Sequence, residues 1–268
     1  MLYLSFLKEN IMAPIIKSKE EREKIRETGH IVAAILAELR DAVHPGMTTA
    51  EIDKLGAEAL KRYGAKSSSL GYHGYPASLC TSVNEEVVHG IPGSRVLAEG
   101  DIVSIDFAAS CNGWHADSAI TVPVGKVSPE VQRLLKVTQD ALYRGIAAAR
   151  AGNRLQDIGR AVQQFVEAAG FAVVRQYGGH GVGRSMHEDP QVLNYVEPGY
   201  PNYVLRPGMV IAIEPMVIMG KKETRILDDQ WTVVAADGTC AAHFEHTVAI
   251  TEGDADILTL GSSGGKNV

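Results

Sequence analysis

Apolar positions recur at helical spacing in four segments of the chain. A capping-box pattern, Ser18 to Glu21, precedes the first segment and predicts a helix over about residues 19–42. The second segment opens at Thr48-Thr-Ala-Glu51 and closes at Gly64, a residue suited to a helix end. The apolar face of the first helix is formed by Ile25, Val32, Ile35, Leu36 and Leu39.

Two further helices follow the same plan in the second half. Ser128-Pro129 places proline at the first helical position, and this helix ends before Gly152. The other runs from about residue 155 to residue 169 and closes at Gly170. The two pairs align at one constant offset: Gly46, Ile52 and Gly64 match Gly152, Ile158 and Gly170.

Two strand patterns repeat as well. GDIVSID aligns with GMVIAIE, which places Asp106 on Glu214. HADSAITV aligns with HFEHTVAI, which places Asp117 on Glu245, and the second hairpin has a longer connection, residues 217–230. We therefore predict an α/β (α+β) fold built from a duplicated helix–helix–hairpin unit.

Composition and charge exclude several classes of protein. With 268 residues, 45% of them hydrophobic and 22% charged, the chain has the composition of a soluble globular protein. A net charge of -6 without a Lys/Arg stripe argues against a nucleic-acid partner. The three cysteines lie far apart, so neither a disulfide framework nor a zinc ribbon is expected, and a reducing, cytoplasmic compartment is favoured.

The chain ends are expected to be peripheral. The N-terminal apolar run is cut by Lys8 and Glu9 and lacks a basic flank, which argues against a signal peptide. Met12 is a plausible true start, and no apolar run approaches the ~20 residues that span a bilayer. The expected segments are a flexible arm (1–15), one domain (16–260, with repeats of about 16–125 and 126–260) and a flexible tail (261–268).

Four acidic residues occupy unusual positions within the strand patterns: Asp106, Asp117, Glu214 and Glu245. A buried, unpaired carboxylate costs several kcal/mol or loses its charge. One such acid is often a bulge or edge residue, but four at equivalent positions of a repeat indicate convergence around cations. Carboxylates are hard donors that suit divalent ions and can bridge two of them.

The glycine-rich stretch GGHGVGRSMHEDP offers a histidine ligand. Its glycines let the backbone approach closely at His180, and an imidazole shifts the preference from magnesium or calcium toward manganese, iron, cobalt or zinc. A phosphate loop is an alternative, but neither GxxxxGK[ST] nor GxGxxG is present. A lone histidine is usually structural; the duplicated acids favour a ligand here. His89 in VNEEVVHGIPG is a counterpart, expected beside the metals or on the substrate.

This set of residues suits hydrolysis. Two metals that share carboxylates can hold a hydroxide at neutral pH and can stabilise the oxyanion of a tetrahedral intermediate. A nucleophilic-serine route lacks a GxSxG motif, and the cysteines lie in no catalytic motif. Amide or ester hydrolysis is therefore the expected chemistry.

Together these motifs resemble the type I methionine aminopeptidases, bacterial-like pita-bread metallopeptidases. The resemblance runs from about residue 16 to 260 and rests on HGIPG, the paired aspartates, GGHGVGRSMHEDP, IEP and FEHT. It implies a pita-bread fold with a pseudo-twofold axis through the metal site. It also implies removal of the initiator methionine from nascent proteins with a small second residue, by attack of metal-bound water on the first peptide bond.

The resemblance also implies roles for individual residues. The metal ligands would be Asp106, Asp117, His180, Glu214 and Glu245. They would hold two divalent ions (cobalt, manganese, iron, zinc or nickel), with Asp117 and Glu245 as bridges. The catalytic residues would be His89, His187 and Glu214, the two histidines contacting the scissile peptide and the glutamate moving a proton. The substrate would be bound by both histidines and by a methionine pocket of Tyr72, Tyr75, Cys80 and Trp231.

The chain departs from the family pattern at two pocket positions. Met186 stands where phenylalanine is common, and Ser69 stands where cysteine is common. Both concern the shape of the pocket rather than the metal chemistry. The implied partners are a peptide or nascent chain with N-terminal methionine and, transiently, the ribosome; the implied state is a monomer without nucleic-acid or membrane partners.

Other classes of protein with this fold differ from the chain in their expected sequence features. Xaa-Pro aminopeptidases and dipeptidases carry a large extra N-terminal domain, whereas about fifteen residues precede the first helix here. Type II methionine enzymes carry a helical insertion, for which the stretch between Glu214 and Glu245 is too short, and the zinc-binding extension of some eukaryotic type I enzymes is missing. A non-enzymatic binding protein of this fold is expected to have lost ligands, and all five are present.

Overall fold

The computed structural model describes residues 13–261 of the chain. Residues 1–12 and 262–268, which contain most of the expected arm and tail, lie outside the described residues. Within the described part, no helix is both long and apolar enough to cross a membrane. Its helices are α1 (Lys19–Ala42), α2 (Thr49–Tyr63), α3 (Pro129–Ala148) and α4 (Leu155–Ala168), with a 3₁₀ turn at Tyr72–Gly74.

The helix ends confirm the sequence signals. The Ser18 and Thr48 side chains each accept a hydrogen bond from the backbone of the glutamate three residues later, and each glutamate bonds back, which completes two capping boxes. Gly64 ends α2 in the left-handed region at φ 66°, where glycine carries no steric penalty. Ser128 caps α3 ahead of proline at its first position.

Fifteen short strands are described. They are β1 (Lys66–Ser67), β2 (Cys80–Val83), β3 (Glu86–Val88), β4 (Ile102–Cys111), β5 (Trp114–Pro123), β6 (Ala172–Val173), β7 (Gly179–Gly181), β8 (Glu188–Val192), β9 (Val210–Ile213), β10 (Met216–Ile218), β11 (Thr224–Ile226), β12 (Val233–Ala235), β13 (Ala241–His243), β14 (Glu245–Ala249) and β15 (Asp256–Ile257).

The strands form one large antiparallel sheet and two small ones. The large sheet has the order β1-β4-β5-β14-β9-β7-β8, with β2 on β4 and β15 on β14. The small sheets have the orders β13-β10-β6 and β11-β12-β3. In the large sheet, β5 of the first half pairs with β14 of the second, so the two helix–helix–hairpin units meet at the centre. The expected duplicated α/β fold is confirmed.

Alternation along β4 separates the hydrophobic core from the opposite face of the sheet. Val103, Ile105 and Phe107 are fully buried and belong to the same apolar cluster as Leu39 of α1. Successive side chains of a strand point to opposite faces, so Asp106 points away from this helix-covered side. The helices thus cover one face of the sheet, and the acidic residues lie on the other.

At two places in the second half, the chain passes between the large sheet and a small one. The chain leaves β9 through Glu214 and Pro215 to enter β10, and it leaves β13 through Phe244 to enter β14. Pro215 has no N–H and cannot donate to a ladder, so regular pairing is interrupted here. This interruption lies beside Glu214 and Glu245 and leaves room between the strands.

Candidate metal centre

Three of the acidic residues lie in one row across the centre of the large sheet. Asp106 on β4 and Glu245 on β14 both pair with Ala119, which lies between them on β5. Glu214 follows the last paired residue of β9 and stands opposite Glu245 in the same register. Directly paired residues point to the same face, so their carboxylates share one side of the sheet. The small Ala119 side chain leaves space between them.

Asp117 lies two residues from Ala119 on β5 and therefore points to the same face. Thr247 of β14 fixes its backbone from across the strand boundary. The Thr247 hydroxyl accepts a hydrogen bond from the Asp117 N–H (3.0 Å) and donates one to the Asp117 carbonyl (2.8 Å). The backbone that carries the Asp117 side chain is thus fixed at a position diagonal to Asp106 and Glu245.

His180 reaches the acids from β7 because its glycine neighbours allow a close backbone approach. A Cβ atom at Gly179 would collide with the carbonyl oxygen of Ala212, and one at Gly181 with that of Asp189. The His180 Nδ1 lies 2.9 Å from the carbonyl oxygen of Gly181, which can only accept. Nδ1 therefore carries the proton, and Nε2 keeps its lone pair for a metal.

The ligand atoms of Asp117, His180 and Glu245 lie within 4.8 Å of one another, and all three side chains are buried. The His180 Nε2 is 3.9 Å from Asp117 Oδ2 and 3.8 Å from Glu214 Oε1. Asp117 Oδ1 and Glu245 Oε1 are buried without a hydrogen-bond partner among residues 13–261. Buried oxygens are normally paired, so these two mark a place for a ligand or ion.

The electrostatics of the row also favour a cation. Burial, together with the neighbouring carboxylates, raises the pKa of Asp117 and of Glu245 well above their usual range. Burial raises the pKa of Asp106 as well. For Glu214, burial acts in the same direction, but His243, His180 and His89 outweigh it and hold its pKa below the usual value. A divalent ion removes this mutual repulsion, so the residues present fit such an ion.

Two histidines stand beside the acidic row. Burial lowers the pKa of His89 to about 4, and its ring meets Tyr177 edge-on at 5.4 Å. The His187 ring lies 4.1 Å from the ring of His180, and its Nδ1 lies 2.8 Å from the Tyr72 hydroxyl. Although this ring is open to solvent on one side, desolvation by the site and the nearby histidines lower its pKa. Both rings are neutral at pH 7.

The expected methionine-pocket residues divide into two groups. Tyr75 and Cys80 form a buried apolar cluster with Trp231 packed against it, the Tyr75 and Trp231 rings 5.0 Å apart. Cys80 pairs with Asp106, so this cluster adjoins the acidic row. Tyr72 is outside that cluster within the described residues and contacts His187 instead.

The two positions that depart from the family pattern differ in their exposure. Met186, next to His187 in the chain, is buried. Ser69 is half-buried, and its N–H donates to the Ser67 hydroxyl. Met186 is therefore the position at which the packing beside a site histidine differs from the family pattern.

The sequence reasoning did not single out three buried groups next to the site. His243, the last residue of β13, lies two residues before Glu245, and its Nε2 is 3.5 Å from Glu214 Oε2. The separation of two residues between His243 and Glu245 is a sequence signal from which the position of His243 near the site could have been predicted. Asn194 donates to the Glu214 carbonyl at 2.9 Å, and Lys17 forms a buried ion pair with Glu188 at 2.6 Å. Neither of these last two contacts has a local sequence signal.

Comparison with known proteins gives a consistent family match. The profile of metallopeptidase family M24 matches residues 23–252. Methionine aminopeptidase 1 of Bacillus subtilis (strain 168) is 51% identical over 247 residues, which cover 91% of this chain and 98% of the relative.

Solved structures agree with the sequence matches. A crystal structure of methionine aminopeptidase from Rickettsia prowazekii superposes with a TM-score of 0.90 at 38% identity, over 92% of this chain and all of the other. Prolidase from Pyrococcus furiosus superposes with a TM-score of 0.75 at 24% identity, over 92% of this chain and 65% of the other. At that identity the prolidase match demonstrates a shared fold alone.

Proposed function

Because the chain belongs to metallopeptidase family M24 and to the methionine aminopeptidases, we propose that it removes the initiator methionine from nascent polypeptides with a small second residue. The observation that carries this proposal is the buried group of Asp117, His180 and Glu245, two of whose oxygens have no partner in the described part of the chain. A hydrolase that uses divalent metal requires such a converging donor set.

We assign five residues to hold the metal: Asp106, Asp117, His180, Glu214 and Glu245. We further propose two ions of cobalt, manganese, iron, zinc or nickel, with Asp117 and Glu245 as the shared ligands. Mixed carboxylate and imidazole donors accept all of these ions. When bound, such ions polarise a carbonyl group and make water more acidic.

The remaining polar groups would orient the peptide and move protons. His89 and His187 are neutral at pH 7, so each can donate a hydrogen bond to the scissile peptide without adding charge. The contact between the Tyr72 hydroxyl and His187 Nδ1 fixes that ring and leaves Nε2 for the substrate. Glu214, ionised because its pKa is lowered, is the group suited to accept a proton.

The apolar cluster beside Asp106 suits a methionine side chain. Tyr75, Cys80 and Trp231 supply aromatic and sulfur surface next to the acidic row, and Tyr72 adds a ring on the His187 side. A flexible, polarisable thioether packs well against such walls. We propose these four side chains as the pocket for the first residue of the substrate.

The proposal is tested on metal-stripped protein with manganese, iron, cobalt or zinc added back. The expected result is release of methionine from Met-Ala-Ser, much slower release from Met-Phe-Ser, and no cleavage of Xaa-Pro peptides. Cleavage of Xaa-Pro peptides alone would overturn the assignment in favour of a prolidase-like enzyme. Failure to cleave any peptide with any ion would favour a non-enzymatic binding protein.

We also propose that the enzyme acts as a monomer in the cytoplasm, where it meets nascent chains transiently at the ribosome. The cytoplasmic location and the encounter with the ribosome follow from the proposed substrate, whose N-terminus is exposed during synthesis. Sedimentation of the purified protein, with and without ribosomes, tests both statements. A stable oligomer, or failure to process ribosome-bound chains, would contradict them.

A further inference from the structure

His243 is held rigidly beside the candidate metal centre. It is the last residue of β13, only 1% exposed, and two residues from Glu245. The hydroxyl of Thr121 accepts a hydrogen bond from the His243 N–H and donates one to its carbonyl, each at 2.8 Å. The backbone from which the ring projects is therefore fixed from the neighbouring strand.

The ring of His243 has no conventional hydrogen-bond partner in the described part of the chain. Its Nε2 is 3.5 Å from Glu214 Oε2, slightly beyond the usual N–H···O distance of about 2.7–3.2 Å. Buried imidazoles are costly to leave unpaired, so an unpaired one calls for an explanation. The acceptor at this distance is an oxygen of a proposed metal ligand.

Glu214 lies between two imidazoles. Its Oε1 is 3.8 Å from the Nε2 of His180, the ring with a free lone pair, and its Oε2 faces His243. The compact group of ligand atoms contains Asp117, His180 and Glu245 but not His243. His243 is thus placed to contact the carboxylate of Glu214 rather than an ion held by that group.

We propose that His243 is a positioning residue for the metal centre. Its Nε2–H donates to Glu214 Oε2 and thereby directs Oε1 toward the ion that His180 binds. A shift of a few tenths of an ångström closes this bond, and Nδ1, then unprotonated, leaves no donor unpaired. Groups that orient a ligand in this way typically change metal affinity about 10–100-fold when removed. The inference rests on the proposed metal centre.

Two substitutions separate this role from the alternatives. His243→Gln keeps a side-chain N–H donor, whereas His243→Leu fills similar volume without one. Manganese binding to the metal-stripped proteins is measured by titration calorimetry. We expect His243→Leu to weaken binding about 10–100-fold and His243→Gln to restore most of the loss. Unchanged manganese binding in His243→Leu would mean that His243 only fills space. Equal losses of affinity in both variants would indicate that the imidazole itself binds the metal. Either result overturns the proposal.

A second measurement needs no variant. In zinc-loaded protein carrying ¹⁵N-labelled histidine, the proposal expects a proton on Nε2 of His243, while Nε2 of His180 shows the shift of a metal-bound nitrogen. A metal-bound His243 nitrogen would overturn it. Both readouts are independent of peptidase activity, so an inactive protein that passes them would contradict the proposed function and leave this inference standing.

His246 provides the matched control. It lies on β14, where it follows Glu245 and points to the opposite face of the strand from that residue, with its Nδ1 2.9 Å from the Thr259 hydroxyl. His246→Leu removes that contact, so it should lower the melting temperature and leave manganese affinity unchanged. A comparable loss of affinity in this control would show that the effect of His243→Leu is general disturbance of the strand.

Discussion

Asp117 combines burial, neighbouring negative charge and a fixed backbone. Its side chain is almost fully buried, and one carboxylate oxygen has no partner among residues 13–261. The pKa of this carboxyl is raised by burial and by Asp106 and Glu214. A carboxyl in such surroundings is stable either when protonated or beside a cation. The second condition makes Asp117 a suitable ligand.

Asp117→Asn should abolish binding and activity while preserving the fold. The amide keeps the size of the side chain and relieves repulsion, but it supplies one weak neutral oxygen donor in place of a carboxylate. We expect peptidase activity to fall by more than about 100-fold, beyond the effect of losing a group that only orients a ligand. Activity on Met-Ala-Ser and melting of the metal-free protein are the measurements. Asp140→Asn on the surface of α3 is the control and should behave as wild type; full turnover by Asp117→Asn would show that the bridging ligand is misassigned.

At the scale of the elements, threonine side chains join β5 to β13 and β14, in addition to the backbone pairing of β5 with β14. Thr247 bonds both backbone groups of Asp117, and Thr121 bonds both backbone groups of His243. Each threonine therefore satisfies two buried backbone groups of the facing strand. This arrangement fixes the backbone at Asp117 and at His243.

Thr247→Val should destabilise the protein and weaken metal binding. Valine preserves shape but leaves the N–H and carbonyl of Asp117 unpaired, at a cost of about 1–3 kcal/mol in unfolding free energy. Denaturant unfolding of metal-free protein and manganese titration are the measurements. Thr138→Val is the control, because that buried hydroxyl only donates to the Leu134 carbonyl one turn earlier in α3. Equal effects of the two substitutions would argue against a role for Thr247 in placing Asp117.

The loop that carries His187 is fastened to the segment before α1. Lys17 forms a 2.6 Å ion pair with Glu188, and both side chains are at most 9% exposed. Glu188 also accepts hydrogen bonds from the N–H groups of Arg184 and Ser185. The carboxylate therefore shapes the loop, and the lysine compensates its charge.

Lys17→Met should loosen this loop. It leaves the buried carboxylate of Glu188 without its cation, which costs about 3 kcal/mol when one partner of a buried pair is removed. We expect lower stability and lower kcat/KM, because His187 adjoins Glu188. Lys24→Met is the control, since Lys24 pairs with Glu20 on the exposed surface of α1 and should show no measurable change. Wild-type kcat/KM in Lys17→Met would mean that the loop keeps its shape without the lysine.

At the scale of the whole molecule, metal should determine how stability depends on pH. In metal-free protein the raised pKa values of Asp117 and Glu245 mean that the folded state binds protons that the unfolded state has released. The contribution of these two carboxyls to the free energy of unfolding therefore falls as pH rises above about 4, which is their pKa in the unfolded state. The buried His89, with its pKa lowered to about 4, acts oppositely, but mainly below pH 6.5.

We therefore expect Asp117 and Glu245 to make metal-free protein less stable as pH rises from about 4 toward their raised pKa values. Saturating manganese should remove this loss and raise stability by about 2.7 kcal/mol at a hundredfold excess over Kd. Thermal unfolding with chelator and with manganese is the measurement. Asp117→Asn with chelator should show a shallower pH dependence. An Asp117→Asn protein whose metal-free stability depends on pH in the same way as that of wild type would contradict the electrostatic account.

The sequence predicts features that depend on local pattern and misses those that depend on contacts through space. The four helices and the acid pairs are visible because capping residues, periodicity and an internal repeat record them. The ion pair of Lys17 with Glu188 joins residues 171 positions apart, so no window of sequence contains it. The passage of β9 into β10 at Pro215, which opens the space for the row, likewise depends on which sheets those strands join.

The proposed metal ligands come from two halves of the chain, which meet where β5 pairs with β14. Asp106 and Asp117 come from the half before the turn at Gly125, and the other proposed ligands come from the half after it. Neither half alone supplies all five proposed ligands. If the backbone were cut in that turn, added metal should strengthen the reassembly of the two fragments, because a bound ion would contact both of them in addition to the β5–β14 pairing that already joins them.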